Sequence, residues 1–296
     1  MKFKKLNTRN QYKNRTVAAN ISKTSGTGAT LTLKAMGNIT VNTNCSIISS
    51  SNALNIVFWS DSDNYIGGFV YLNTPTTITT NGGHLWIGGG SGTTTWNSLS
   101  VGNDYAKNTS GYHGVTLDHA TISTSGGEIQ IKGESTSTNK SSFGININYG
   151  DLNAGSGNIS LYGKGGYATG TQANCTGIRV SGPITTTTGN ITLTGTSTTQ
   201  DWCEGIAMHL ADITSTSGNI SLSTNRFYMQ PDRRIRSSWT LTLKPLTDVS
   251  TIGIAGGAGT MYLPDDYFTT KFVNEFSGIT IGSGTAGNIG IKAIRQ

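Results

Sequence analysis

One five-residue phrase, Gly-x-(Ile/Leu)-x-apolar, recurs along the chain and restricts its fold more than any other feature. Its first residue is Gly37 (GNITV), Gly83 (GHLWI), Gly127 (GEIQI), Gly157 (GNISL), Gly189 (GNITL), Gly218 (GNISL) and Gly287 (GNIGI). Between Gly127 and Gly218 the successive steps are 30, 32 and 29 residues. Regular recurrence at this period indicates an array in which each unit packs on its neighbours.

Two further phrases recur in phase with the first. Gly-(Val/Ile)-x-apolar begins at Gly114, Gly144, Gly177 and Gly205, and a single apolar residue before a Thr/Ser-rich run is Ile122, Leu152, Ile184 and Ile213. Each unit is therefore predicted to hold a strand, a short apolar step, a Thr/Ser/Gly turn, a second strand and a variable loop. An antiparallel β-sandwich also has short strands and turns, but it does not require three phrases in phase.

Alternation within each strand predicts how the units stack. In ITLTG, Ile191 and Leu193 point to one face, and Thr192 and Thr194 point to the other. A unit stacked about 4.8 Å away completes the backbone hydrogen bonds and places Ile on Ile. The sequence therefore predicts an all-β fold, a parallel β-solenoid. Glycine permits the corner conformations, and asparagine tolerates them and can stack as an amide ladder.

Composition agrees with a thin, elongated core. Of the 296 residues, 40 are Gly, 34% are hydrophobic and 12% are charged, whereas about 25% charged residues is ordinary for a globular domain. No stretch approaches the roughly 18 apolar residues that span a bilayer. No apolar region follows the opening MKFKK as it would in an export signal. We therefore predict no transmembrane segment and find no signal peptide.

The net charge of +6 arises in the first sixteen residues, which contain six cations and no acid. The rest of the chain has 15 of the 21 basic residues and all 15 acidic ones, so it is neutral. Because this body lacks a basic face with interleaved aromatics, no nucleic-acid partner is predicted. The predicted boundaries are a basic tail (1–16), a β-helix repeat region (17–225), a basic insertion loop (226–236) and coils that continue the same solenoid (237–296).

Three sets of segments, and the order in which they follow one another, carry a resemblance to a known family. They are NIVFWSDSDNYIGGFVYL with ITTNGGHLWIGGG (55–90), GVTLDHATISTSGGEIQIKG with its successors (from 114), and LTLKPLTDVSTIGIAGGAGTMYLPDDYF with GITIGSGTAGNIGIK (241–292). This ordered set, covering most of residues 30–296, resembles the repeat regions of filamentous-haemagglutinin-like bacterial exoproteins, which are large adhesins. The resemblance implies a right-handed parallel β-helix, export to the cell surface or the extracellular space, and a role in adhesion or surface structure.

The cysteines offer one pairing. Cys175 and Cys203 each lie two residues before a repeat glycine, so they share a register on neighbouring coils. A rung spacing near 4.8 Å falls within the Cα separation of a disulfide, roughly 4.4–6.8 Å. A Cys175–Cys203 bridge and a stack of two free thiols both stay open, and Cys45 is left over. Without C-x-x-C spacing, the three cysteines give no metal motif.

Acidic residues give no strong site. Asp61 and Asp63 in WSDSDN have a calcium-like spacing, but the turn Gly and distal Glu of an EF-hand loop are missing. They are weak calcium candidates, and a solvated turn is favoured; no cofactor is predicted. Glycoside hydrolysis needs two carboxylates about 5–9.5 Å apart, whereas Asp151 and Asp212 share a register two rungs, roughly 10 Å, apart. No catalytic residues are predicted.

Two loops are candidate partner- or glycan-binding elements. Trp86, Trp96, Tyr105 and Tyr112 cluster in the longest unit, where they either pack over the solenoid or form a sugar-stacking surface. Arg233, Arg234 and Arg236 place cations in the predicted insertion loop, which could bind an acidic glycan or another partner.

The predicted function is structural or adhesive rather than enzymatic: a rigid β-helical rod at the cell surface or outside the cell. Its predicted partners are a glycan or protein of a host or neighbouring cell, or a second copy stacked end to end into a filament, because open solenoid ends expose unpaired strand groups. The alternative is a carbohydrate-active or glycan-binding β-helix, related in function to polysaccharide lyases and hydrolases.

Overall fold

The computed structural model describes residues 13–109, 111, 113–138, 141–167, 174–198, 203–247, 250–272, 275–284 and 287–291. Within these residues the regular structure is almost entirely β, and a single π-helical turn spans Tyr267–Lys271.

Three parallel sheets form the solenoid, and each coil contributes one strand to each of them. Sheet A contains β1 (Arg15–Val17), β4 (Ile39–Val41), β7 (Val70–Leu72), β12 (Val115–Asp118), β15 (Ile145–Asn148), β18 (Ile178–Val180), β21 (Ile206–Met208) and β24 (Phe227–Met229). Sheet B contains β2 (Ile21–Lys23), β5 (Ser46–Ser49), β8 (Thr76–Thr79), β13 (Ala120–Ser123), β16 (Asp151–Asn153), β19 (Ile184–Thr186), β22 (Ile213–Ser215) and β25 (Ile235–Arg236).

Sheet C contains β3 (Ala29–Lys34), β6 (Leu54–Trp59), β9 (Leu85–Trp96), β14 (Ile129–Ser135), β17 (Ile159–Lys164), β20 (Ile191–Thr196), β23 (Ile220–Ser223), β26 (Thr240–Lys244) and β29 (Gly278–Ile281). Outside these stacks, β10 (Leu99–Asp104) pairs antiparallel with β9, and β11 (Ala106–Asn108) pairs with β14. A small C-terminal sheet contains β27 (Ile252–Ile254), β28 (Met261–Leu263) and β30 (Ile289–Ile291). The chain passes from sheet A to B to C eight times, which confirms the predicted parallel β-helix.

The core is a set of apolar columns that run through the coils. Ile159 pairs with Ile191, and Ile191 pairs with Ile220, so identical side chains lie one rung apart. These residues and Leu193 are fully buried, while Thr192 on the other face is half-buried. The two-residue alternation seen in the sequence is therefore the division between the inside and the outside of the solenoid.

The repeat glycines are required because the corners leave no room for a side chain. A Cβ built on Gly189 would lie 1.9 Å from the carbonyl oxygen of Gly157, and one on Gly218 would lie 2.0 Å from that of Gly189. Neither residue has a positive φ. The glycines are needed because successive coils approach too closely for any side chain, not because the corner needs a left-handed conformation.

The repeat asparagines form a ladder, although not one of amide on amide. The Oδ1 atom of Asn158 accepts the backbone N–H of Asn190 at 2.8 Å, and Oδ1 of Asn190 accepts that of Asn219 at 2.8 Å. Each side chain therefore binds the main chain of the next coil, which fixes the spacing of neighbouring corners.

Coil length varies with the loops between the sheets. The register step in sheet A is 45 residues from Val70 to Val115, where β9 and β10 form a hairpin, but only 21 residues from Ile206 to Phe227. The segment 226–236, predicted as an insertion loop, instead forms β24 and β25, which begin the coil after this short step. Its arginine-rich composition hid the two inward residues, Phe227 and Ile235, that keep it in the core.

The predicted ends of the solenoid also differ from the structure. Strand β1 begins at Arg15, inside the predicted 1–16 tail, and residues 1–12 lie outside the described residues. The predicted continuation over 237–296 holds for β26 and β29, which extend sheet C. The strands β27, β28 and β30 form their own sheet instead of extending sheets A and B.

The turn at residues 264–272, named here the C-terminal cap, covers the last strand of sheet A. The backbone N–H of Met229 donates to the Tyr267 hydroxyl at 2.8 Å. The buried Lys271 ammonium donates to the carbonyls of Met229 and Gln230, both at 2.8 Å, and lies 3.4 Å from the Asp266 carboxylate. These groups of the β24 edge, which could otherwise pair with an added strand, therefore have partners within the chain.

A disulfide joins Cys175 to Cys203, with the two Cα atoms 4.7 Å apart. The bridge links the segments that lead into β18 and β21, in agreement with the shared register of these cysteines. Cys45 is a buried free thiol.

Candidate binding groove on sheet A

The predicted aromatic surface is mostly packing. Trp86 faces outward from sheet C, but the β9–β10 hairpin covers it completely. It lies there in a buried apolar cluster with Val57, Trp59, Leu99 and Val101. Its indole N–H donates to the Gln130 side chain at 3.0 Å. Trp86 therefore cannot stack on a sugar, because the hairpin that makes this unit long is folded back over it.

The other predicted aromatics also have neighbours. Trp96 is half-buried against the same cluster and meets the His84 ring edge-on at 5.7 Å. Tyr105 is half-buried, with the Lys164 ammonium 4.0 Å from its ring centre, and burial raises the pKa of its hydroxyl. Tyr112 lies outside the described residues.

The predicted arginine cluster is engaged with the neighbouring coil. Arg233 donates to the carbonyl of Leu210 at 2.8 Å, and the backbone N–H of Arg234 donates to the Asp212 carboxylate at 2.9 Å. Arg236 lies 3.8 Å from the same carboxylate. These contacts hold the coil of β24 and β25 against its predecessor, so the Arg233 and Arg236 side chains have a structural role beside any role in binding.

Asp61 and Asp63 differ sharply in environment. The solvated turn predicted for both is wrong for Asp61, which is 1% exposed and has a φ of 47°. Its backbone N–H donates to the Gly37 carbonyl, and its Oδ1 atom is buried without a hydrogen-bond partner. Burial raises the pKa of Asp61 from 3.8 to about 6, more than the nearby Lys107 lowers it. Asp63 is half-buried, and its carboxylate accepts the Tyr65 N–H at 3.4 Å.

Replacing Asp61 with Asn is expected to stabilise the protein near pH 7 and to remove a pH dependence. Because the folded-state pKa is raised, the protonated form is favoured by folding, so wild-type stability should rise as pH falls from about 7 to about 4. The shift corresponds to at most about 3 kcal/mol. Asparagine tolerates the left-handed conformation and needs no charge. Urea unfolding at several pH values measures the difference.

The half-exposed neighbour supplies the control. Asp63→Asn removes a charge that contributes less than burial to the raised Asp61 pKa, so it should reduce the pH slope of the free energy of unfolding less than Asp61→Asn does. Equal slopes for Asp61→Asn and the wild type would contradict the assignment of this titration to Asp61.

A row of outward side chains follows sheet A, one per coil. The strand registers align Thr40, Tyr71, Thr116, Asn146, Arg179, Ala207 and Tyr228 on seven strands from β4 to β24. At about 4.8 Å per rung, the row is roughly 29 Å long. The inward residues of these strands are uniformly apolar, whereas the outward residues change from coil to coil.

A groove lies over the middle of this row and is named here the sheet A groove. Its cavity of about 430 Å³ is lined by Phe69, Tyr71, Asn108, Gly111, His113, Thr116, Asp118, Asn146 and Asn148. A second cavity of about 320 Å³ shares Phe69, Asn108 and Gly111 with it and extends the groove towards Asn38. The lining combines aromatic rings, amides and a carboxylate, a mixture that suits polar ligands with apolar faces.

Asp118 organises the polar part of the sheet A groove. One carboxylate oxygen accepts Thr74 at 2.8 Å and Tyr71 at 3.3 Å, and the other accepts Asn148 at 2.7 Å and lies 3.0 Å from Nδ1 of His119. Burial acts to raise the pKa of Asp118, but the hydrogen bonds from Thr74, Asn148 and His119 outweigh it and lower that pKa. Asp118 is therefore a fixed anion whose oxygens are already occupied.

Aromatic and imidazole rings pair along the same face. His113 stacks on Phe143 with ring centres 4.6 Å apart, His119 stacks on Tyr149 at 5.0 Å, and His209 meets Tyr228 at 5.7 Å. His119 and Tyr149 have φ values of 49° and 53°, a conformation that costs a non-glycine residue roughly 1–2 kcal/mol. Because the ring pairs and the sheet A groove lie on the same face, we interpret this face as the candidate site.

Sequence reasoning missed this groove because it used the second repeat phrase only to locate strands. The inward positions of GVTL, GINI, GIRV and GIAM repeat, but the third position reads Thr116, Asn146, Arg179 and Ala207 in turn. Variation at one position of an otherwise constant phrase was the available signal. What the sequence could not supply is that a cavity lies over the outer face of sheet A, whereas the β9–β10 hairpin covers part of the outer face of sheet C.

Among the described residues, no group of three or more His, Cys, Asp and Glu is arranged to hold a metal ion. No helix in the described part of the chain is long and apolar enough to cross a membrane. Comparison with protein-family models, with curated proteins and with solved structures gives no match. The resemblance to filamentous-haemagglutinin-like exoproteins therefore stays a prediction.

Proposed function

We propose that this chain is a structural and adhesive module of an extracellular or cell-surface protein, a rigid β-helical rod that binds an extended glycan along the sheet A groove. The observation that carries the proposal is the groove itself. Phe69, Tyr71 and His113 line it and offer ring faces on which sugar rings can stack, and Asn148 and Tyr71 offer groups that can hydrogen-bond to sugar hydroxyls. Each rung of sheet A contributes one outward side chain, about 4.8 Å from the next, so the row can follow an extended polymer.

Binding is favoured over hydrolysis for this groove. The two oxygens of Asp118 are occupied by hydrogen bonds within the chain, so neither is available as a nucleophile or as a base for water. Among the described residues that line the cavity, no second carboxylate stands opposite it at the separation used in glycoside hydrolysis. We therefore infer a ligand that is held rather than cut.

End-to-end association is the weaker part of the functional prediction. The C-terminal cap already satisfies the Met229 and Gln230 edge groups, which disfavours stacking of another copy on β24. We therefore place adhesion through the groove before filament formation.

Filling the groove should weaken glycan binding. Thr116 lies in the middle of the row with its side chain half-exposed, so Thr116→Trp would occupy the space without disturbing the core. We expect glycans retained by the wild-type protein on a glycan array to lose at least tenfold in affinity, about 1.4 kcal/mol. Thr192→Trp, on the outer face of sheet C, is the matched control and should bind normally. Retention of no glycan by the wild type, or equal affinity of Thr116→Trp, would overturn the proposal.

A further inference from the structure

Arg179 is the cation of the sheet A row. It lies on β18 between Asn146 on one neighbouring strand and Ala207 on the other. Its Nη1 atom donates to the Asn146 side chain at 3.2 Å, and its guanidinium carbon lies 5.6 Å from the centre of the Phe143 ring. Asn146 and Phe143 are buried and hold the guanidinium half-buried on the outer face of the solenoid.

Arg179 forms no ion pair with any residue that the structure describes. The pairs found there involve Lys107, His119, Arg236 and Lys271. Burial lowers the pKa of Arg179, and the group that opposes this shift is the Tyr149 hydroxyl rather than a carboxylate. A half-buried guanidinium with no anionic partner loses hydration without full compensation, and a bound anion would restore it.

A ring nitrogen of His209, a residue near Arg179, has no hydrogen-bond partner. The Nε2 atom of His209 is buried and has no hydrogen-bond partner, although buried polar atoms are nearly always paired. Burial, and to a smaller extent Arg179, lower the pKa of His209, so its ring is neutral at pH 7. A neutral imidazole can carry its proton on Nε2 and donate it to an oxygen of a ligand.

We propose that Arg179, in the row of sheet A, and His209, beside the row, form an anion subsite, and that the glycan is therefore acidic. The inference rests on the proposed function and names the chemical class of its ligand. A guanidinium presents parallel N–H groups that match a carboxylate or a sulfate ester. Asp118 lies two rungs away, about 10 Å, and its carboxylate is already held by Thr74 and Asn148, so it does not pair with the guanidinium.

Calorimetric titration with three ligands tests the subsite: oligogalacturonate, sulfated dextran and neutral dextran oligosaccharides. Arg179→Gln keeps a donor for Asn146 but removes the charge, and it should weaken binding of an acidic ligand at least tenfold. Arg179→Lys keeps the charge without the parallel donors and should weaken that binding by an intermediate factor. Lys244→Gln, which removes an exposed charge from sheet C, is the matched control and should change affinity less than twofold.

Each outcome decides one of the two claims. If Arg179→Gln loses binding of oligogalacturonate, the bound anion is a carboxylate. If it loses binding of sulfated dextran, the bound anion is a sulfate ester. Either result supports the subsite. Equal effects of Arg179→Gln and Lys244→Gln would overturn it, as would neutral dextran that binds as tightly as the acidic ligands. Suppose that a glycan binds to the wild type, that Thr116→Trp weakens this binding and that Arg179→Gln does not. In that case the proposed subsite is wrong, and the proposed function still holds. If no glycan of any charge binds, the proposed function fails as well.

Discussion

Ile191→Asp is expected to unfold the coils around β20 and to lower the free energy of unfolding by more than about 4 kcal/mol. Ile191 is fully buried and lies in an apolar column between Ile159 and Ile220. A carboxylate in this column would have no partner, and an unpaired buried charge is among the most destabilising substitutions. Because each coil packs only on its neighbours, the loss would also remove the support of the adjacent coils.

The neighbouring residue separates burial from charge. Thr192→Asp introduces the same carboxylate on the same strand, but on the outer face, so its effect should stay within about 0.5 kcal/mol. Limited proteolysis followed by mass spectrometry would locate the opened coils, and thermal unfolding would give the loss of stability. Similar unfolding curves for the two variants would show that residues 191–196 are not part of a stacked strand.

Lys271→Met is expected to detach the C-terminal cap at a cost of about 3 kcal/mol. The substitution leaves the carbonyls of Met229 and Gln230 without the donor that now satisfies them, and each unsatisfied buried group costs about 1–3 kcal/mol. With the cap displaced, the Met229 amide would also lose its contact with Tyr267. The exposed edge of β24 could then pair with another copy of the chain.

Hydrogen exchange and sedimentation together measure this effect. The Met229 amide should exchange at least tenfold faster in Lys271→Met than in the wild type, and the variant should sediment as oligomers at concentrations where the wild type does not. Lys244→Met replaces an exposed lysine on β26 and should change neither result. Unchanged protection of the Met229 amide would show that Lys271 does not close the end of sheet A.

The repeat phrases predicted the solenoid because their spacing gives the length of a coil and their alternation gives the face of each strand that packs in the core. The shared register of Cys175 and Cys203 has the same origin, since a residue at one register meets its equivalent on the next coil. Reasoning failed where composition concealed the pattern. Arginines and a proline hid the inward residues Phe227 and Ile235, so a regular coil was predicted as a loop.

The outer surface was predicted less well because it depends on contacts between distant segments. Trp86 is on an outward position of its strand, as the alternation requires, but the β9–β10 hairpin buries it. Asp61 is in a polar segment, yet a turn carries it inside. The strand pattern does not predict that Trp86 and Asp61 are buried, because the segments that bury them lie outside the repeated strands.

The sequence by itself determined that coils of about 30 residues stack in parallel, and which residues face the core, because both follow from local alternation repeated at a fixed period. Only the tertiary structure decided which face of the rod is open. The hairpin covers part of sheet C and the C-terminal cap covers the end of sheet A, while a groove lined by Tyr71 and Thr116 remains over the middle of sheet A. That outcome depends on how irregular segments fold back onto the regular ones, and no periodic pattern records it.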